Sequence, residues 1–296
     1  MKRDTFSGFH PAINLLYFVL VIGFAMTLQH PVCQAASLLS GFAWSCALTG
    51  GKGGKKLGWL AAMFALTALV NPLFSHAGAT ILCYLPSGNP LTLESLLYGL
   101  CAAATLACAL VWFSCLNAVM GSDKIFYLFG RVIPALSLLL SMTLRFVPRF
   151  AAQVKKVARA QRALGRDVSA GSVPARIRCA AAILSGVVTW ALENAIDTAD
   201  SMKSRGYGLP GRTAFSIYRF DARDGRALVW LLFAGVYVLA GALSGAVSWR
   251  YYPTVRGAPV TIYSVSVMLI YLALGLTPVI LRCKEALVWM RLRSET

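Results

Sequence analysis

Six stretches of the chain are almost wholly apolar: about 12–28, 32–49, 57–74, 95–119, 227–248 and 261–281. A helix that crosses the ~30 Å hydrocarbon layer needs about 20 such residues, with roughly 17 as the lower limit. The pattern therefore predicts an all-α, polytopic membrane protein of about six spans. Two further apolar stretches, 132–144 and 179–192, hold only 13 and 14 residues. That length suits a buried or interfacial helix better than a span. Between the runs lie a tight turn at Gln29-His30-Pro31 and a flexible basic loop from Gly50 to Lys56. The long connection from Asn71 to Pro90 is rich in Pro, Gly, Ser and Asn and carries no Lys or Arg.

Lysine and arginine mark the cytoplasmic side of a membrane protein. By that rule the N-terminus and the 52–56 loop are inside and the 71–90 connection is outside. Between Arg145 and Arg226 there are 15 Lys/Arg against six acids. Leaving both short stretches as non-spanning keeps that basic segment inside and both termini cytoplasmic, in agreement with Arg282, Lys284, Arg291 and Arg293 in the tail. The alternative in which both short stretches cross, as a re-entrant pair, satisfies the same parity. Three regions follow: N-terminal membrane helices over 1–124, a cytoplasmic helical region over 125–226, and a C-terminal membrane hairpin with a basic tail over 227–296. The first apolar run follows no small-residue cleavage site and reads as a retained span.

The basic segment predicts two helices. Proline is tolerated in the first turn of a helix, so one is expected to start at Pro148. At about 100° per residue, Lys155, Arg159, Arg162 and Arg166 share one stripe, and Phe150, Val157 and Leu164 fall nearly opposite. Gly165, Gly171 and Pro174 end it. The second runs from about Pro174 to Ser204 and turns polar in its second half. Glu193, Asp197 and Asp200 share a face, which the basic stripe of the first helix would neutralise. Arg205 lies at its C-terminus, where the helix dipole favours a cation by ~0.3–1 kcal/mol, and Gly206 suits a left-handed cap.

Composition narrows the chemistry. The chain is 58% hydrophobic and 13% charged, with a net charge of +17, against about 25% charged residues in soluble domains. A basic surface at the membrane accounts for that excess without nucleic acid. Thr49–Lys56 is not a phosphate loop: Thr49 stands where the first Gly belongs and Lys56 where a Ser/Thr belongs. Asn194, Asp197 and Asp200, with Asp221 and Asp224 as a second group, give the weaker alternative of a prenyltransferase-like membrane enzyme with magnesium–diphosphate sites. Cys101, Cys108 and Cys115 repeat every seven residues, which favours close helix packing through small residues over a metal site. His10, His30 and His76 form no constellation. No catalytic, cofactor or metal site is expected.

Several segments, in order, resemble the transmembrane T component of energy-coupling factor transporters, a family that includes cobalt-transport permeases. They are Phe9-His10-Pro11-Ala12-Ile13-Asn14, Asn71-Pro72-Leu73-Phe74 with Gly78 and Leu91–Leu96, and Leu144-Arg145-Phe146-Val147-Pro148-Arg149. Most telling are Ala160-Gln161-Arg162-Ala163-Leu164-Gly165 and Lys203-Ser204-Arg205-Gly206-Tyr207-Gly208, which look like paired Ala-Arg-Gly coupling motifs. Ser204 replaces the motif's Ala, and Leu164 stands where its first Arg is usual, so that Arg162 or Arg166 would have to serve. The resemblance implies a non-catalytic scaffold in the cell membrane of a prokaryote, part of an importer of vitamins or transition-metal ions. Its partners would be two cytoplasmic ATP-binding subunits and a membrane substrate-binding S component. The coupling residues would be Arg205, Gly206 and Ser204 at one helix end, and Arg162, Ala163 and Gly165 with Arg159 and Arg166 at the other. A permease with its own substrate path is the other alternative; it should show ionisable residues within its spans.

Overall fold

The computed structural model describes residues 5–49, 53–74, 78, 80–84, 90–132, 134–210, 218–251 and 254–294. Residues 1–4, Gly50–Lys52 of the basic loop, His76 and Gly211 lie outside them. A 3-10 turn (Phe6–Gly8) leads into α1 (Pro11–Thr27), α2 (Pro31–Thr49) and α3 (Gly53–Phe74). A short antiparallel pair, β1 (Ile81–Tyr84) and β2 (Pro90–Thr92), precedes α4 (Leu93–Val119) and α5 (Ser122–Val132). Then come α6 (Pro134–Ala163), α7 (Val173–Ser204) and α8 (Ala222–Leu243). A second pair, β3 (Trp249–Arg250) and β4 (Arg256–Gly257), leads to α9 (Ile262–Ser294). The chain divides into two compact units, Met1–Ile125 with Tyr218–Thr296, and Phe126–Ile217.

Local chemistry explains where the membrane helices begin. Each His-Pro pair starts a helix in the same way. His10 Nδ1 accepts the Ala12 N–H and His30 Nδ1 the Val32 N–H, both at 3.3 Å, while the following proline fills a position that needs no donor. Burial lowers the pKa of His30, which favours the neutral ring that such an acceptor requires. Asp221 and Asp224, the second acidic pair of the enzyme alternative, form the capping box of α8, with Asp224 Oδ2 accepting the Asp221 N–H at 3.2 Å.

The first unit packs as membrane proteins do, through small residues that let backbones approach. A Cβ on Gly275 of α9 would lie 2.6 Å from Ser40 Oγ of α2, and one on Gly241 of α8 would lie 2.6 Å from Val267 of α9. Tyr17, Phe18, Trp44 and Trp112, all fully buried, meet where α1, α2 and α4 converge. Replacing either tryptophan by Ala would cost ~3–5 kcal/mol. Cys101, Cys108 and Cys115 are buried against α2 and its lead-in, with thiols 3.9, 3.7 and 4.0 Å from the carbonyls of Gln29, Gln34 and Gly41. The seven-residue cysteine repeat is a helix-packing seam, as the spacing predicts.

The structure corrects several boundaries. Pro148 lies inside α6, which runs unbroken from Pro134. Proline removes one hydrogen bond, a loss that helices at a membrane absorb more readily than the rule for soluble helices allows. Residues 132–144 are thus mostly the first half of this helix rather than a separate short one. Gly53–Lys56 belong to α3 rather than to a loop, and α9 carries the basic tail onward through Pro278 to Ser294. The 179–192 stretch sits within the 32-residue α7, which is long and apolar enough to cross a membrane, as are α2, α4, α8 and α9. A run counted between Arg178 and Glu193 underestimates it, because a span tolerates charges near its ends. The 17-residue α1 and the apolar part of α3, Gly58–Phe74, are shorter.

Candidate functional site

Within the second unit, α6 and α7 pair antiparallel. Phe150 meets Trp190 edge-on at 5.8 Å, and Val157 and Ala158 pack on Cys179, Ile183 and Val187. Gly186 lets Val157 close in, with 3.6 Å from its would-be Cβ to Cγ1. The connection is tied by Cys179 Sγ donating to the Arg166 carbonyl (3.3 Å) and Arg176 Nε to that of Val168 (2.7 Å).

Both helices end in the same hydrogen-bonded turn. At α6, Gly165 N–H bonds Arg162 O and Arg166 N–H bonds Gln161 O, both at 3.0 Å. At α7, Gly206 N–H bonds Lys203 O at 2.9 Å and Tyr207 N–H bonds Met202 O at 3.0 Å. These are two Schellman motifs, with Gly165 (φ 76°) and Gly206 (φ 74°) in the left-handed region that costs other residues about 1–2 kcal/mol. The motif triplets Ala163-Leu164-Gly165 and Ser204-Arg205-Gly206 therefore occupy equivalent positions. Leu164 and Arg205 are the respective caps, and both are exposed.

Their surroundings differ. Arg205 lines a groove of about 500 Å³ with Arg145, Arg149, Asn194, Asp197 and Ser201. Three guanidiniums against one carboxylate make it a cationic groove. The expected neutralisation of Glu193, Asp197 and Asp200 by the Lys155–Arg166 stripe is not found: they form no ion pair with it among the described residues. The antiparallel register sets these acids beside the first half of α6, and Asp197 shares its groove with Arg145 and Arg149.

At the α6 end, Leu164 is 73% exposed and not part of the apolar face, because the chain leaves the helical path at the glycine turn. Arg162 is held by Asp167 through Nε–Oδ2 at 3.0 Å and Nη2–Oδ1 at 3.3 Å. The Ser169 N–H, more than Arg162, keeps the Asp167 carboxyl below its usual pKa. Arg166 and Arg178 line a separate concavity of about 550 Å³ beside Gly165. Arg159 is exposed on α6. Of the arginines the sequence offers for this end, Arg162 is engaged and Arg166 faces a concavity. Arg145, Arg149 and Arg178 were not expected to join these sites. Their signal is the antiparallel register, in which residue numbers across the α6–α7 pair sum to about 340, and it appears only once both helix bounds are known. The described residues hold no cluster of three or more His, Cys, Asp or Glu suited to a metal.

Comparison with known proteins adds to this picture. The family model of the cobalt transport protein, CbiQ, matches residues 10–215, a stretch that contains both helix ends. The chain is 34% identical over 105 residues to the energy-coupling factor transporter transmembrane protein EcfT of Exiguobacterium sibiricum, covering 35% of this chain and 40% of that protein. It is 33% identical over 106 residues to that of Lactobacillus helveticus (36% and 38%). To that of Listeria innocua it is 32% identical over 133 residues (44% and 47%). The chain thus spans less than half the length of these curated relatives.

Proposed function

The chain belongs to the cobalt transport protein family as a transmembrane T component of the energy-coupling factor type, and from that premise we propose that it is the scaffold of an ATP-driven importer. It links two cytoplasmic ATP-binding subunits to a membrane substrate-binding component, and the substrate class is a vitamin or a transition-metal ion. The ATP is hydrolysed by the partner subunits. Supporting this reading is the pair of exposed glycine-terminated helix ends on one hairpin, the better charged of them presenting Arg205. Arginine's planar fork bonds a carboxylate bidentately, so an acidic groove on an ATP-binding subunit is the natural receptor. Arg205 and Gly206, with Ser204 before them, form one contact. Ala163, Leu164 and Gly165 form the other, where Arg159, Arg162 and Arg166 supply the charge.

The hairpin lies on the cytoplasmic side, with both termini also inside. Although α7 is long enough to cross, the part of α6 that packs on α7's apolar half carries Lys155, Lys156 and Arg159, and crossing would bring them into hydrocarbon at a cost of about 2.5–3.5 kcal/mol each. The test is to tag the full chain and purify it from native membranes. Both ATP-binding subunits and a small membrane protein should come with it, and an external maleimide should label the exposed Cys83 but not a cysteine placed at Ser169. Recovery of the chain alone, or external labelling at 169, would sink the scaffold reading or its topology, respectively.

A further inference from the structure

The α1, α8 and α9 helices enclose a cavity of about 360 Å³ that the scaffold role does not use. Its walls are Phe9, Ile13, Leu231 and Leu281, and Arg223 and Arg226 line it as well. The two arginines stand one turn apart on α8 and so face the same way. Both are exposed. Arg223 donates one N–H to the Gly8 carbonyl at 2.9 Å and lies 4.3 Å from the Phe9 ring centre, which leaves further donors open. Arg226 makes no hydrogen bond or ion pair among the described residues. Asp224, the residue after Arg223, is buried, with its oxygens accepting the Asp221 and His10 N–H groups. It is therefore committed to backbone and faces neither arginine as a free counter-ion.

We infer that this cavity holds an anionic phospholipid of the inner leaflet, its phosphate on Arg223 and Arg226 and the start of an acyl chain on the apolar wall. Three observations converge on a lipid rather than a free anion. The cavity wall beneath the arginines is hydrocarbon, which inorganic phosphate would not use. The cavity sits at the basic ends of the spans, where anionic headgroups gather. Trp230, whose indole donates to Thr277 Oγ1 at 3.2 Å, also lines it, in keeping with the headgroup-level position that tryptophan favours. Beside it, Val229 and Phe233 are 69% and 57% exposed and continue the apolar surface for the tail.

The experiment is native mass spectrometry of the full chain released from nanodiscs of equal phosphatidylglycerol and phosphatidylcholine. The parent should retain phosphatidylglycerol in preference. Each of Arg226→Gln and Arg223→Gln should lower that retention about fivefold, and Ala227→Phe, which fills the cavity, should lower retention of both lipids. Arg226 is exposed and makes no hydrogen bond or ion pair among the described residues, so its substitution leaves the fold intact even if Arg223→Gln, which loses the Gly8 contact, does not. Equal retention of the two lipids, no change in Arg226→Gln, or displacement of the bound species by inorganic phosphate would each overturn the inference.

Discussion

At the end of α6 the cap residue is Leu164, and at the end of α7 it is Arg205. The backbone around them is the same, two Schellman turns closed by glycines at φ 76° and 74°. Glycine supplies the stop at both ends, and both cap residues are exposed. Their identity is free to be set by a partner. At α7 the setting is cationic, since Arg145 and Arg149 line the groove with Arg205. At α6 the tip is apolar, Arg162 is paired with Asp167, and positive charge recedes to Arg166 and Arg178. Two helix ends of one architecture thus differ in their side chains: three guanidiniums line the groove at α7, while an exposed leucine caps α6.

The largest effect should come from reversing charge at the cationic end. Arg205→Glu should abolish or strongly reduce co-purification of the ATP-binding subunits and transport, while Arg162→Ala has a milder effect and membrane insertion is unchanged in both. Next is the shared backbone. Gly165→Val and Gly206→Val should each destabilise their helix end by about 1–2 kcal/mol, as read by amide exchange around each turn, with the larger loss at Gly206, where an added Cβ would also come within 3.2 Å of Leu209; no loss at either end would break the equivalence. Adding charge at the apolar end sharpens the comparison. Leu164→Arg should change binding of the ATP-binding subunits less than tenfold, because in the proposed reading Arg159, Arg162 and Arg166 already supply the charge at that end. A gain beyond that would show a preserved acidic receptor. The smallest effect belongs to Asp167. Its pKa is depressed in the folded chain, so its contribution is complete above the unfolded carboxylate pKa, ~3.9, and is lost as pH falls through the lower folded value. Asp167→Asn keeps an acceptor for the Ser169 N–H while releasing Arg162. Binding should tighten only slightly at neutral pH, since exposed pairs contribute little; calorimetry of assembly checks it.

Much of this was readable from residue order. Lipid demands long apolar runs, so the helices of the first unit stand out, and the His-Pro and Ser-Arg-Gly signals mark a helix start and a helix stop. The cysteine repeat marks a helix-packing face for the same reason, though not the helix it packs against. What was hidden depends on tertiary register or on membrane context. Pro148 looked like a helix start because the soluble-protein rule was applied to a helix that carries proline in its interior. Leu164 looked buried because helical periodicity was extended one residue past the turn that ends it. The grouping of Arg145 and Arg149 with Arg205 joins residues more than 50 positions apart, and no local pattern carries it.

The central claim is that Arg205 makes a charge-assisted contact that Leu164 does not. It is tested most directly by measuring the affinity of the ATP-binding subunits for the full chain over a range of salt concentrations, for the parent and for Arg205→Leu. A charge-assisted hydrogen bond contributes roughly 1.5–3 kcal/mol, so Arg205→Leu should bind about ten- to hundredfold more weakly at low salt, with a flatter salt dependence. Equal affinity and an equal salt slope for the two proteins would contradict the account and leave Arg205 as no more than a helix cap.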